Sequence, residues 1–162
     1  MVSCDRWNMG CNGGILSWAW SYLTKTGITT ESCEPYLSGD GSTQACASSC
    51  TDGSEFTKYK CVGGSVVEAK GIDQIKAEIS SNGPVETGFT VYEDFMNYGS
   101  GVYHHTTGKQ LGGHAVKIVG YGEDHWICAN SWSNGWGEEG FFRIAFGECG
   151  INDAAYGCKP EL

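Results

Sequence analysis

The chain has 162 residues, 40% of them apolar and 18% charged, which excludes a disordered segment and allows one domain or two small lobes with a real core. A formal charge of −9 argues against nucleic acid or an anionic membrane surface as a partner. No apolar run approaches the roughly 18 residues that a membrane-spanning helix needs.

The opening MVSCDRWNMG has neither the basic end nor the apolar stretch of a signal peptide. Residues 15–26, ILSWAWSYLTKT, place Ile15, Leu16, Ala19, Trp20 and Leu23 at helical spacing, with Gly27 as a stop, and predict a mostly buried helix. Residues 31–61 are loop-like and rich in cysteine, with little apolar periodicity. Residues 72–81, IDQIKAEISS, predict a short amphipathic helix ended by Asn82, Gly83 and Pro84. Strand signals then dominate at 85–91, 102–105, 114–121, 126–131 and 140–144, where branched and aromatic residues are bounded by glycines. This order predicts an α+β chain in two parts: helix and cross-linked loops over 1–61, and a twisted antiparallel sheet over 62–162.

Nine cysteines are too many for an ordinary cytosolic enzyme. Neither Cys4 to Cys11 nor Cys46 to Cys50 has the C-x-x-C spacing of a zinc knuckle, so disulfides formed in an oxidising compartment are the better reading, and no metal is expected. An odd count leaves at least one cysteine without a partner in the chain. A disulfide-bonded secretory protein should carry a leader, so the chain is expected to be the interior of something longer.

The chemistry gathers in residues 112–137, GGHAVKIVGYGEDHWICANSWSNGWG. An isolated histidine at the head of a buried strand is most often a structural residue. Here Gly112 and Gly113 allow close approach to the His114 ring. Asn130 offers an amide oxygen that can accept from one ring N–H and fix the tautomer, which frees the other nitrogen to exchange a proton with a nucleophile. Trp132 and Trp136 could shield that bond from water. Taken singly, Asn130 reads as a turn-capping amide and the tryptophans as core.

GCNGG at 10–14, NGPVE at 82–86, SGVY at 100–103, GGHAV at 112–116 and ANSWSNGWGEEGFFRI at 129–144 occur in that order. The set resembles the C-terminal three quarters or so of a papain-like cysteine peptidase, and within that family it is most similar to cathepsin B. The resemblance covers nearly the whole chain. It implies the papain-like fold, in part: some of the helical left lobe and the antiparallel-sheet right lobe. It also implies a cysteine–histidine–asparagine triad with no cofactor, in which His114 and Asn130 are two members and Trp132 covers them on the leaving-group side. Gly13 and Gly14 match glycines whose backbone pairs with an extended peptide. Gly113, Ala115, Ile15, Leu16 and Ala154 match the pocket for the second acyl-side residue, where Ala154 stands in place of a glutamate. The implied partners are peptide and protein substrates and cystatin-like inhibitors, and the implied location is a lysosome, a vacuole or outside the cell.

The family's nucleophile sits in a C-G-[SA]-C-[WY] motif, which none of the nine cysteines fits. The usual interval to the histidine places it roughly 16–36 residues before Met1. The chain is therefore expected to be inactive by itself, and to need an N-terminal segment or light chain that also fills the groove between the lobes. The alternative is a pseudoenzyme whose cleft binds peptides or inhibitors. The resemblance further implies disulfides from Cys4 to Cys46 and from Cys33 to Cys50, and leaves Cys11 alone. Cys128, on a strand, reads as a small buried apolar residue. Cys61, Cys149 and Cys158 are unassigned. The interval between Cys33 and Cys46 has no histidine and no room for the paired-histidine loop with which cathepsin B holds substrate C-termini. His104 and His105 read as surface residues.

Overall fold

The computed structural model describes residues 1–161. The chain divides into two units, one of Met1–Val66 together with the residues from Cys158 onward, the other of Val67–Gly157. The expected boundary at 61/62 thus falls short by a few residues. The C-terminal residues return to the first unit because Cys158 is bonded to Cys61.

In the first unit a short 3-10 turn, Gly10–Asn12, precedes helix α1, Leu16–Lys25. The helix is less buried than its pattern predicts. Tyr22 is its one buried residue, Trp18 is 48% exposed, and Leu16, Ala19, Trp20 and Leu23 are half-buried. The cysteine-rich segment that follows carries few apolar side chains, so within this unit the stripe is covered only in part. Cross-links supply what packing does not: Cys4–Cys46, Cys33–Cys50 and Cys61–Cys158, the last across 97 residues. Bridges that close long loops restrict the unfolded chain most. The first two are the pairings that the resemblance implies.

The second unit packs helix α2, Gly71–Asn82, against one sheet of seven strands. In chain order these are β1 Val67–Ala69, β2 Val85–Tyr92, β3 Val102–Tyr103, β4 Gln110–Tyr121, β5 His125–Ala129, β6 Phe141–Ala145 and β7 Ala155–Gly157. Their order across the sheet is β1-β7-β2-β4-β5-β6-β3. All neighbours are antiparallel except β3 and β6, which run parallel, so the sheet is mixed and not wholly antiparallel as expected. The crossover from β3 to β6 passes through β4 and β5, which is what lets the two share a direction.

Alternation along β2 and β4 puts Val85, Phe89, Val91, Val116 and Ile118 into a core with Trp126, Phe142, Ile144 and Ile151. The Trp126 indole N–H is satisfied inside this core by Asn152 Oδ1 at 2.6 Å. Cys128 lies there too, fully buried, and burial pushes its thiol pKa up. It behaves as the small apolar residue its strand position predicts.

Candidate active site

Three elements of the second unit bring the chemistry together. His114 lies on β4 opposite Phe89 of β2, on the core-facing side of the strand. Just ahead of it the β2–β4 register shifts, and Gly112 adopts φ 149°, where a side chain would be strained. This bulge lets the strand run on from the irregular Leu111 segment into the straight pairing that aims the ring. Asn130 follows the last residue of β5, and its N–H is anchored to Gly140 O at 2.9 Å. β4 and β5 are joined by the tight turn at 122–125, closed by Gly122 N–H to His125 O at 2.9 Å.

His114 Nε2 and Asn130 Oδ1 are 2.8 Å apart. Asn130 Oδ1 also accepts the Ser131 N–H at 2.8 Å. Two groups meeting on one atom identify it as the oxygen, since a turned amide would face a donor to the Ser131 N–H. The histidine nitrogen at that oxygen must then be the donor, and Nδ1 is the ring nitrogen left to act as base. The arrangement leaves Asn130 Nδ2 buried without a partner among the described residues, a cost accepted for the orientation of the oxygen. Trp132 stacks on the His114 ring, with centroids 5.0 Å apart and planes 28° apart. Trp136 does not cover the histidine; it backs Trp132 at 5.1 Å and donates its indole N–H to Met96 O.

Residues 1–158 match the family described as papain family cysteine protease. The chain belongs to this family. It is 46% identical to Cathepsin B-like CP3 of Giardia intestinalis, over 97% of this chain and 55% of that protein. It is 41% identical to Cathepsin B-like cysteine proteinase 4 of Caenorhabditis elegans, over 98% of this chain and 58% of the relative. Among solved structures, procathepsin B S9 from Trypanosoma congolense superposes with a TM-score of 0.91 at 34% identity, covering 99% of this chain and 59% of the other. The Carica candamarcensis cysteine protease CMS1MS2 gives 0.80 at 28% identity, covering 98% and 74%. The fold is thus the papain-like one. The chain spans a little over half the length of the curated relatives it matches.

The remaining residues that the papain-family pattern singles out fall in two places. Gly113 and Ala115 are exposed on β4, the latter opposite Gly88 of β2. The β2–β7 register, Thr87 to Ala155, brings Ala154 level with Gly88, and Thr87 Oγ1 donates to Ala154 O at 3.0 Å. Gly88 therefore sits between Ala115 and Ala154 on the same row. Sequence reading missed it, because only the register shows that β2 lies between β4 and β7. Gly13, Gly14, Ile15 and Leu16 belong to the first unit, just ahead of and at the start of α1.

The aromatic floor under Trp132 is held by a carboxylate that the sequence did not reveal. Asp94 accepts from Tyr103 OH at 2.7 Å, His105 Nδ1 at 3.1 Å, Thr106 N–H at 2.8 Å and Thr107 N–H at 3.2 Å. Burial pushes its pKa up, but these bonds outweigh burial and hold the carboxyl well below the usual carboxylate range. His105 is consequently not a free surface residue as expected: its ring stacks on Tyr92 at 3.7 Å and binds Asp94. His104 is exposed and pairs with Glu148.

A depressed folded-state pKa contributes stability above the unfolded value, near 3.9 for an aspartate, and loses it as pH falls through the folded value. Asp94→Asn is expected to lower unfolding free energy by about 2 kcal/mol at pH 5, with the gap to wild type narrowing towards pH 3. Urea titrations at both pH values check this, and a gap that widens on acidification would contradict it.

Proposed function

We propose that this chain is the larger part of a cathepsin B-like cysteine endopeptidase. It supplies His114 and Asn130 to a triad whose nucleophilic cysteine lies on a segment outside these residues. The observation that carries the reading is the 2.8 Å bond from His114 to Asn130, with Trp132 stacked on the ring. With Nε2–H donated to Asn130, Nδ1 takes the thiol proton, and the resulting thiolate attacks the peptide carbonyl. The imidazolium then returns the proton to the leaving amine. Trp132 keeps water from the histidine–asparagine bond and so preserves the tautomer. Acyl transfer of this kind is carried by side chains and calls for no cofactor.

The cysteines support the division of labour. Six are in disulfides. Burial raises the Cys128 thiol, and burial with the neighbouring Glu148 pushes Cys149 up to about 12, so neither supplies a thiolate at working pH. Cys11 is exposed in GCNGG, where the family pairs it with a cysteine beside the nucleophile. By itself the chain should not hydrolyse peptides. It should need a nucleophile-bearing segment or light chain, and it should present the same surface to peptide substrates and cystatin-like inhibitors. The disulfides suit a lysosome, a vacuole or the extracellular space.

The test is an assay of the purified chain with and without a polypeptide bearing C-G-S-C-W, using an internally quenched peptide. Turnover sensitive to a thiol alkylator is expected only in the mixture. Cleavage should be internal, without efficient release of dipeptides from a free C-terminus, because the Cys33–Cys46 interval carries no paired-histidine loop. Turnover by the chain alone would overturn the reading. A stable mixture that binds peptide and stays silent would favour the pseudoenzyme.

The specificity follows from Ala154. Gly113 and the row Ala115, Gly88, Ala154 are neutral, and Asp153 is engaged elsewhere. The Asp153 N–H bonds Gly150 O at 3.0 Å, and its carboxylate lies against the Gly150 turn. A guanidinium placed there would lack a partner. In the nucleophile-complete enzyme, kcat/KM for a peptide with Leu at the second acyl-side position should exceed that for its Arg counterpart by about tenfold or more. A preference for Arg would show that Asp153 swings into the pocket.

A further inference from the structure

The two glycines at 13–14 are adjacent but are glycines for different reasons. Gly13 has φ 96°, a backbone conformation that side chains avoid, and open space around it. Gly14 has no such angle. A Cβ there would run into the Asn8 side chain, striking Oδ1 and lying 2.7 Å from Cγ. The Asn8 amide is therefore packed directly on the Gly14 backbone. It is also fully committed: Oδ1 accepts the Ile15 N–H at 2.7 Å, and Nδ2 donates to Asp5 Oδ2 at 2.6 Å. Asp5 is 6% exposed, and its other oxygen takes the Trp7 N–H at 3.0 Å.

On the other flank, Thr43 Oγ1 accepts the Cys11 N–H at 3.1 Å, and Met9 N–H holds Gly13 O at 2.9 Å. The backbone is thus held on both sides of Gly14, at Gly13 O and at the Ile15 N–H. Among the described residues, the N–H and C=O of Gly14 itself have no partner, and the residue is exposed. Ile15, whose N–H Asn8 holds, is the residue from which α1 starts, and no side chain of its own caps the helix.

We infer that Asn8 is a positioning residue for peptide binding. Braced by Asp5, it clamps Ile15 and lies on Gly14, so that both polar groups of Gly14 face an incoming extended peptide as an unpaired strand edge would. A rigid edge binds without first paying ordering entropy. The inference rests on the proposed pairing of Gly14 with substrate. It acts on binding and leaves the chemical step to His114.

The experiment uses the nucleophile-complete enzyme and two peptides that differ only by an N-methyl group on the substrate amide facing Gly14. In wild type, methylation should raise KM by about tenfold with kcat within about twofold. In Asn8→Ala, KM for the ordinary peptide should rise to near the methylated value, and the difference between the two peptides should collapse. Asn8→Asp adds a signature that a merely structural role would not produce. It sets a second carboxylate against Asp5, so the clamp holds only where one proton is shared, and KM should approach wild type at low pH and worsen as pH rises.

A methylation effect that persists undiminished in Asn8→Ala, or a KM for Asn8→Asp that does not vary with pH relative to wild type, overturns the inference. If wild type does not distinguish the two peptides, the pairing of Gly14 with substrate fails, and the inference fails with it. Should Asn8→Ala not fold, the Asn8→Asp arm alone decides.

Discussion

Replacing His114 by alanine in the nucleophile-complete enzyme should lower kcat on the order of 10⁶, and replacing Asn130 by alanine should lower it by about 10² to 10⁴, with KM little changed in either case. The two losses differ because the two residues do different things. In the proposed mechanism His114 moves the proton. Asn130 only holds Nε2–H at 2.8 Å and so keeps Nδ1 turned outward. Without Asn130 the ring can rotate, and its tautomers mix. Catalysis then proceeds in the fraction of time that Nδ1 points the right way. The double variant should be no worse than His114→Ala, since a positioning residue has nothing left to position. Additive losses would mean that Asn130 has a separate role, and an unchanged kcat for Asn130→Ala would sink the assignment of the pair.

Phe95→Ala should be the most damaging single change to the sheet unit, at about 3–5 kcal/mol of unfolding free energy. Phe95 is fully buried, and its ring meets those of Phe89 at 5.1 Å, Tyr103 at 4.9 Å, Phe142 at 5.0 Å, Trp136 at 5.1 Å and Trp132 at 5.6 Å. Removing it leaves a cavity whose walls come from β2, β3, β6 and the loop at 131–140, so no one neighbour can move to fill it. Trp132 also loses its seat, and kcat should fall together with stability. Phe95→Leu, which retains much of the volume, should recover most of the stability. Chemical denaturation of the three proteins decides it. A cost below about 1 kcal/mol for Phe95→Ala would show that the ring cluster relaxes freely.

Much of the site was legible because its signals are local. GGHAV carries a histidine on an alternating strand. The turn at 122–125 returns the chain after a fixed number of residues, and ANSW follows at once, so proximity of His114 and Asn130 could be read directly. What stayed hidden depends on pairing across long separations. β1 and β7 are three residues each, too short for alternation to register, so neither reads as a strand until they lie side by side. The parallel β3–β6 contact comes from where β4 and β5 sit, which no feature of Val102 or Tyr103 reveals. Asp94 looks like an ordinary acidic residue in VYEDF; its partners at 103–107 are local in space only because the loop folds back. The helical spacing in α1 was real, but spacing shows which residues share a face and says nothing about how fully that face is covered.

Val67 and Gly157 are direct partners across β1 and β7, so the sheet unit begins and ends at one point. The first unit, by contrast, is split, and its Cys61–Cys158 bridge can form only after everything between them has been made. Synthesis therefore imposes an order. As the chain emerges, the first unit must wait half-built while the sheet unit completes itself, and one late oxidation then seals the first unit around the stem of an already folded insert. Conditions that oxidise Cys61 early, before Cys158 is available, would trap it with a neighbour such as Cys33 or Cys50. The yield of correctly bridged chain would then be set at the first unit, even though His114 and Asn130 lie in the second.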